Sequence, residues 1–321
     1  MEIKFKTTSE VTKAEWESYV DSFNEIFDKD FTLHHFEQKY KKTIESESYH
    51  VFLMHQSKIV GACTNIPFEY LYQNDPIKTG LMVDVFILQE FRDDPYHLYR
   101  MYKLLKEKLL KNNVALVIAV PNDNSYSYWK NIVKWKDIGL LQYYVLPVKA
   151  DKIVPYLGNL LNYFLKSVAW LMIKISHLFN SKEKLLSIRI NKDKNLLEDH
   201  RYFDFHQTGK SDGSFFSYNV VSEDSIKTCY LIDFYNTITN RKDISSLRSA
   251  ITKILKDEVI DLIVFVGKLN FVQNILFRVP RKLEPKKLYL TCDLLQPEKI
   301  DEQLVSNIDN WDFGLFNYDV R

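Results

Sequence analysis

A ten-residue segment of this chain occurs twice, and the repetition constrains the fold more than any single motif does. Ile77-Lys78-Thr79-Gly80-Leu81-Met82-Val83-Asp84-Val85-Phe86 returns as Ile226-Lys227-Thr228-Cys229-Tyr230-Leu231-Ile232-Asp233-Phe234-Tyr235, an offset of 149 residues. Four positions are identical, and most of the others pair apolar with apolar or aromatic side chains. An arginine stands eight residues beyond each aspartate, Arg92 after Asp84 and Arg241 after Asp233. Each copy leads into a helix-like stretch and then an apolar run, at 114–120 and at 260–266. A repeat on this scale implies one domain pattern used twice, an internal duplication.

The 321 residues are enough for two domains with full cores. A net charge of +1 gives no basic excess, so a nucleic-acid partner is not expected. The three cysteines are widely spaced and form no CxxC or Cys/His cluster, which fits a reducing cytoplasm and no metal site. The amino terminus alternates polar and apolar residues like a strand and has no apolar signal-peptide core. Only 8 glycines occur, and no P-loop, dinucleotide fingerprint or nucleophile elbow is present.

Along the chain, hydrophobic periodicity predicts a strand over 2–7 and helices over 13–27 and 33–42. Strands follow at 49–55, 59–66, 68–72 and 78–88, a meander with Asn74-Asp75-Pro76 as one turn. Asp94 and Pro95 open a helix running to 110, with Asp94 as its cap. A buried strand at 114–120, a short helix at 125–133 and a closing strand at 140–147 complete the first half. The second half is expected to carry strands at 215–221, 227–235 and 261–266, a helix at 244–256, and closing strands at 287–292 and 312–318. Between the halves, 156–179 is rich in large apolar residues, with Asn159, Asn162, Lys166, Lys174 and His177 near one narrow helical face. Its lysines argue against a simple membrane span. Two roles stay open for it: a packing helix between domains, or an interfacial helix making peripheral membrane contact.

The order meander, helix, strand, helix, strand resembles the GNAT acyltransferase fold. Ser57-Lys58-Ile59-Val60-Gly61-Ala62 is similar to its central hairpin. Val83-Asp84-Val85-Phe86-Ile87-Leu88-Gln89-Glu90-Phe91-Arg92 is similar to its acyl-CoA strand and the start of its phosphate loop. Pro121-Asn122-Asp123-Asn124-Ser125-Tyr126-Ser127-Tyr128-Trp129 is similar to the strand end and short helix that follow. The resemblance covers about residues 1–148 and extends more weakly over 183–321. It implies an α/β (α+β) chain of two GNAT-like domains, 1–150 and 183–321, joined by a hydrophobic helical connector at 151–182, with the second domain degenerate. Tandem relatives include FemABX-type transferases and proteins of bacterial surface-polysaccharide synthesis.

The resemblance also implies a chemistry. Acetyl-CoA would be gripped where two parallel strands splay apart, with backbone amides near Ile87 and Leu88 polarising the thioester carbonyl. Gln89, Arg92, Tyr96 and His97 would line its phosphate site. Asp84, Asn122 and Tyr128 are the candidate catalytic residues, as acceptor-side base, strand-end polar group and thiolate acid. The acceptor would be a small amine or hydroxyl compound, a sugar or nucleotide sugar among them. The chain departs from the family in two places. Pro95 and His97 stand where the phosphate loop has glycines, and Asp93 and Asp94 add negative charge beside a diphosphate. Counting seven from Asn122 reaches Trp129 instead of a tyrosine. Besides an acyl-CoA-dependent N- or O-acyltransferase, two alternatives therefore stand: a non-catalytic tandem GNAT-like binding protein, and a FemABX-like aminoacyl transferase. The neutral charge speaks against the latter.

Overall fold

Two mixed sheets organise the chain. The computed structural model describes residues 1–149, 158–190 and 206–318. The strands, in chain order, are β1 (Glu2–Thr7), β2 (Tyr49–His55), β3 (Lys58–Tyr72), β4 (Asp75–Ile87), β5 (Leu116–Ala119), β6 (Lys136–Leu140), β7 (Gln142–Pro147), β8 (Ile188–Ile190), β9 (Gln207–Ser211), β10 (Ser214–Glu223), β11 (Ile226–Asn236), β12 (Leu262–Gly267), β13 (Phe277–Arg278) and β14 (Tyr289–Leu294). The principal helices are α1 (Lys13–Phe27), α2 (Leu33–Lys41), α3 (His97–Lys111), α4 (Asp123–Tyr128), α5 (Gly158–Ile175) and α6 (Ile244–Asp257). The first sheet has the order β1-β2-β3-β4-β5-β14-β6, with β8 beside the end of β3; the second has the order β13-β7-β12-β11-β10-β9.

The repeated segment occupies the same place in both sheets. β4 lies antiparallel to β3 and then parallel to β5, through Thr79, Gly80 and Leu81 against Leu116, Val117 and Ile118. β11 lies antiparallel to β10 and parallel to β12, through Thr228, Cys229 and Tyr230 against Leu262, Ile263 and Val264. These are the same three positions of the repeat. Each strand then carries a bulge: β4 has an extra residue at Asp84–Val85 opposite Cys63, and β11 has one at Ile232. Asp84 takes up the irregularity with φ 49°, a left-handed conformation in which aspartate is among the better tolerated residues.

The units built on these sheets do not divide the chain at 150 and 182. Unit 1 draws on 1–139, 187–190 and 289–307, and unit 2 on 140–149, 158–186, 206–288 and 308–318. The expected closing strand at 140–147 is broken at Leu141 into β6 and β7. β7 joins the second sheet, antiparallel to β12, while β14 from the second half joins the first, antiparallel to β5. The halves thus exchange a closing strand. The exchange also explains why 312–318 is not a strand: β7 already holds one edge of β12, and only Gly314 makes a bridge, to Gly267. The two expected strands at 59–66 and 68–72 are one, β3, which runs through Pro67. On one edge of β3, β2 ends opposite Asn65 and β8 begins opposite Tyr70, so the missing proline N–H falls where no ladder continues.

Side-chain alternation sets the layers of unit 1. Along β2, Tyr49, Val51 and Leu53 enter the core that α3 covers through Met101, Leu105 and Leu109. His50 and Phe52 face the other way, into rings contributed by α1 and α2, where Trp16, Tyr19, Phe23, Phe36 and Tyr40 meet edge-to-face or stacked. In unit 2, α6 lays Leu247, Ala250, Ile251 and Ile254 over Phe216, Leu231 and Phe234, and α5 adds Ala169 and Ile173 to the same core.

Candidate functional site

The two sheets share one local opening. In unit 1, pairing between β4 and β5 stops at Leu81 and Ile118, but β4 continues to Ile87. The strands separate there because the bulge at Asp84 turns the rest of β4. Beyond the bulge, the Leu88 N–H donates to the Val60 carbonyl on β3 at 2.8 Å. Ladder bonds alternate in direction along an antiparallel strand, so the neighbouring Ile87 N–H points the opposite way, toward the edge that β5 has left. Of the two expected amides, Ile87 faces the opening and Leu88 is committed to the sheet. Arg92 Nε donates to the Ile87 carbonyl at 2.8 Å, which brings the guanidinium to the same edge.

On β3, beside the paired part of β4, lies Asn65, a residue with no distinguishing mark in the sequence beyond a polar side chain inside an apolar run. Its amide fills the space that Gly80 leaves; a Cβ at Gly80 would stand 2.3 Å from Asn65 Oδ1. The Nδ2 group lies 3.5 Å from Met82 Sδ, and Oδ1 is buried without a hydrogen-bond partner among the described residues. A buried unpaired carbonyl carries a desolvation cost of about 1–3 kcal/mol.

Asp84 does not face the opening as a free base. Its side chain is 5% exposed, and Lys39 Nζ, 4% exposed, lies 2.7 Å from each carboxylate oxygen. The Tyr40 hydroxyl donates to Asp84 Oδ2, and Tyr19 and Tyr40 share a hydrogen bond at 2.5 Å. Burial, and then the charge of Asp84, push the Tyr40 hydroxyl well above the usual phenol range, so it stays protonated as the donor. Nothing in the sequence linked Lys39 and Tyr40 to Asp84, because the partners are 45 and 44 residues apart.

The segment expected to form the phosphate loop is organised around Asp94. α3 begins at His97, two residues later than Pro95, so the N-cap is Tyr96 and not Asp94; the Asp94 carboxylate lies in the turn before the helix, its Oδ1 accepting from the Tyr96 N–H at 2.8 Å. Arg100 Nη2 donates to Asp94 Oδ2 and, at 2.9 Å, to Nδ1 of the buried His97. The bond from the Tyr96 amide, with those from Arg100, holds the Asp94 carboxyl below its ordinary range. The helix start that a diphosphate would use thus carries the chain's own anion, and Pro95 offers no N–H. Gln89 lies in the exposed turn Gln89–Phe91, and Tyr96 is exposed.

Of the remaining candidates, Tyr128 touches this loop and Asn122 does not. Asn122 caps α4, its Oδ1 accepting from the Ser125 N–H at 2.9 Å. The Tyr128 hydroxyl donates to the Pro95 carbonyl at 3.0 Å, and burial raises its pKa. Trp129 is buried in the core with Leu88, Tyr102, Ala119 and Trp135.

Unit 2 has the same opening, but its own chain fills it. Lys268 N–H donates to the Phe313 carbonyl at 3.0 Å, Gly314 bridges Gly267, and the turn Leu315–Asn317 touches both β11 and β12. Phe313, Leu315, Phe316 and Asn317 are buried there. Asp233, the counterpart of Asp84, lies 3.3 Å from the buried Lys242, which also pairs with Asp312. The candidate site is therefore the opening in unit 1.

No family model and no curated protein matches the sequence. Solved structures do match in shape. A conserved protein of unknown function from Enterococcus faecalis, described as a probable N-acyltransferase, superposes with a TM-score of 0.54 at 13% identity, over 92% of this chain and 73% of its own. A GCN5-related N-acetyltransferase from Anabaena variabilis gives 0.54 at 8% identity, over 91% and 73%. Another from Kribbella flavida gives 0.54 at 8%, over 92% and 72%. At these identities the likeness is one of fold, and the chain has the mixed α/β fold of the GCN5-related N-acetyltransferases.

Proposed function

We propose that this chain is an acyltransferase acting in unit 1, with a thioester acyl donor and a small amine or hydroxyl acceptor. The observation that carries the reading is the separation of β4 from β5 with the Ile87 N–H turned into the gap. Acyl transfer develops negative charge on the carbonyl oxygen, and a fixed backbone N–H in a low-dielectric gap stabilises it.

Acetyl-CoA is the donor to test first, and its fit is divided. The Ile87 N–H at the gap supports the thioester arm. The α3 start, with the Asp94 carboxylate on the Tyr96 N–H before it, does not fit the diphosphate, and no contact to it is drawn there. Calorimetric titration with acetyl-CoA should show weak binding that Arg92→Ala weakens further and Asp94→Ala strengthens about tenfold, because the variant frees a helix-start amide and removes a like charge. Absence of binding to all three proteins at millimolar acetyl-CoA would overturn the CoA reading.

A second reading has its own observation. Trp129 stands at the position where the resemblance puts a proton-donating tyrosine, and it is buried in the core. This favours a GNAT-fold binding protein without turnover. It expects no thiol release from acetyl-CoA with any acceptor, even where acetyl-CoA binds.

A further inference from the structure

α5 presents two faces that differ in what covers them. Ala169, Ile173 and Ser176 succeed one another at spacings of four and three and are buried, the first two in the core of unit 2. On the opposite side, Phe164, Leu171, Ile175 and Leu178 follow at spacings of seven, four and three, so the 3.6-residue period stacks them in one stripe. Phe164 is 63% exposed, Leu171 52%, Ile175 36% and Leu178 84%, and Tyr163 at the margin is 75% exposed. Large apolar side chains gathered in one exposed stripe mark a contact surface.

The charge beside the stripe is of one sign. Lys174 is exposed beside it, three residues from Leu171, and Lys166 is exposed farther round the helix on the flank of Tyr163 and Trp170; neither has an acidic partner among the described residues. No Asp or Glu occurs from 158 to 182. Tyr163, Lys166, Ser167, Trp170, Leu171 and Lys174 line one open depression on this flank.

We propose that this face of α5 is a peripheral membrane contact, lying in the plane of an anionic bilayer surface. Phe164, Leu171, Ile175 and Leu178 enter the interfacial zone, Lys174 meets a headgroup phosphate, and Lys166 adds positive charge at longer range. From 164 to 178 the stripe runs about 21 Å at 1.5 Å per residue, long enough to lie along the surface. No helix among the described residues is long and apolar enough to cross a membrane. A second copy of this chain is the competing occupant. A twofold contact would set the lysine-bordered face against itself with no carboxylate on either side, whereas an anionic surface supplies the missing charge.

Flotation of the full chain with vesicles tests the proposal. The protein should float with vesicles containing phosphatidylglycerol, float poorly with phosphatidylcholine alone, and be released as salt rises. Phe164→Glu combined with Leu171→Glu should lower the partition coefficient about tenfold or more. Lys166→Glu combined with Lys174→Glu should abolish the preference for phosphatidylglycerol. All four side chains are exposed, so circular dichroism and the thermal midpoint should match the parent. The proposal is overturned if the parent does not float with anionic vesicles, or if the variants float as well as it does. It is equally overturned by a dimer in light scattering that Leu171→Glu dissociates, without flotation, which would assign the face to self-association.

Discussion

Asp84 and Asp233 stand at the same place in the repeat, and each holds a buried lysine drawn from a different part of the chain. Lys39 reaches Asp84 from α2, whereas Lys242 reaches Asp233 from the residue before the cap of α6. Burial works against the Lys242 ammonium, but Asp233, Asp312 and Glu183 together outweigh it and raise its pKa. Such pairs are costly to break singly, because the remaining charge stays buried. Lys39→Met should therefore destabilise the fold by about 3 kcal/mol in urea unfolding, and adding Asp84→Asn should recover most of that loss. If Asp84 is held as a structural partner, Asp84→Asn alone should alter stability more than any acyl transfer. A second residue sets the response to acid. His50 is buried between Thr8 Oγ1, 3.0 Å from Nε2, and Thr64 Oγ1, 3.1 Å from Nδ1. Burial pushes its pKa from 6.5 down to about 3. The folded pKa lies below the unfolded one, so the unfolded chain takes up the proton first. The stabilising contribution is complete above about pH 6.5 and is lost as pH falls toward 3, amounting to about 2 kcal/mol by pH 5. The thermal midpoint should drop across that window, and His50→Gln, though less stable at neutral pH, should show a shallower slope.

At the scale of elements, local signals were legible where local chemistry decides. The strand at Glu2–Thr7 and the helix at Lys13–Phe27 occur as expected, because alternation and a Thr12–Glu15 capping box specify them without distant help. Asp94 reads as a helix cap in the sequence, but the N-cap is Tyr96 and no side chain caps the helix; the Asp94 carboxylate instead accepts from the Tyr96 N–H in the turn before it. The functional consequence remains: the Asp94 carboxylate ahead of α3 occupies the Tyr96 N–H and sets a negative charge where an anion would approach the helix start. Elements decided by tertiary neighbours were not legible. The apolar alternation of 312–318 suits a strand, but β7 has taken the free edge of β12, and the segment folds into a turn instead. Asn65 gave no signal because its role depends on the absent Cβ of Gly80 across the ladder. That pairing makes a test. Gly80→Ala should displace the Asn65 amide and cost about 1–3 kcal/mol, whereas Cys229→Ala, at the matching position of unit 2, should cost less, since Cys229 sits in an apolar core and loses only its sulfur. Chemical denaturation of the two variants side by side measures the difference.

For the whole molecule, the repeat disclosed that one pattern is used twice but not how the two copies are closed. Sequence periodicity identifies strands at 140–147 and 287–292; it carries no information about which sheet each one joins, because both are short, apolar and suited to an interior slot. In the structure β14 lies between β5 and β6 in the first sheet, and β7 lies between β12 and β13 in the second. Each is an interior strand whose loss would leave two edges unpaired. The chain segment before residue 150 therefore supplies an interior strand to unit 2, and the segment after it supplies one to unit 1. A cut between the halves should not release them. With a protease site introduced at residues 151–153, the nicked protein is expected to elute from a sizing column as a single species of parental size and to separate into two fragments only in denaturant. The fragment 1–148 produced alone lacks β14, so β5 presents an open edge and β6 has no neighbour; it should be aggregated or unfolded by circular dichroism. Production together with 149–321 should restore a folded complex. Fragments that separate in native buffer, or a 1–148 fragment that folds with the thermal midpoint of the whole chain, would mean that the strands are not exchanged and that each half closes on itself.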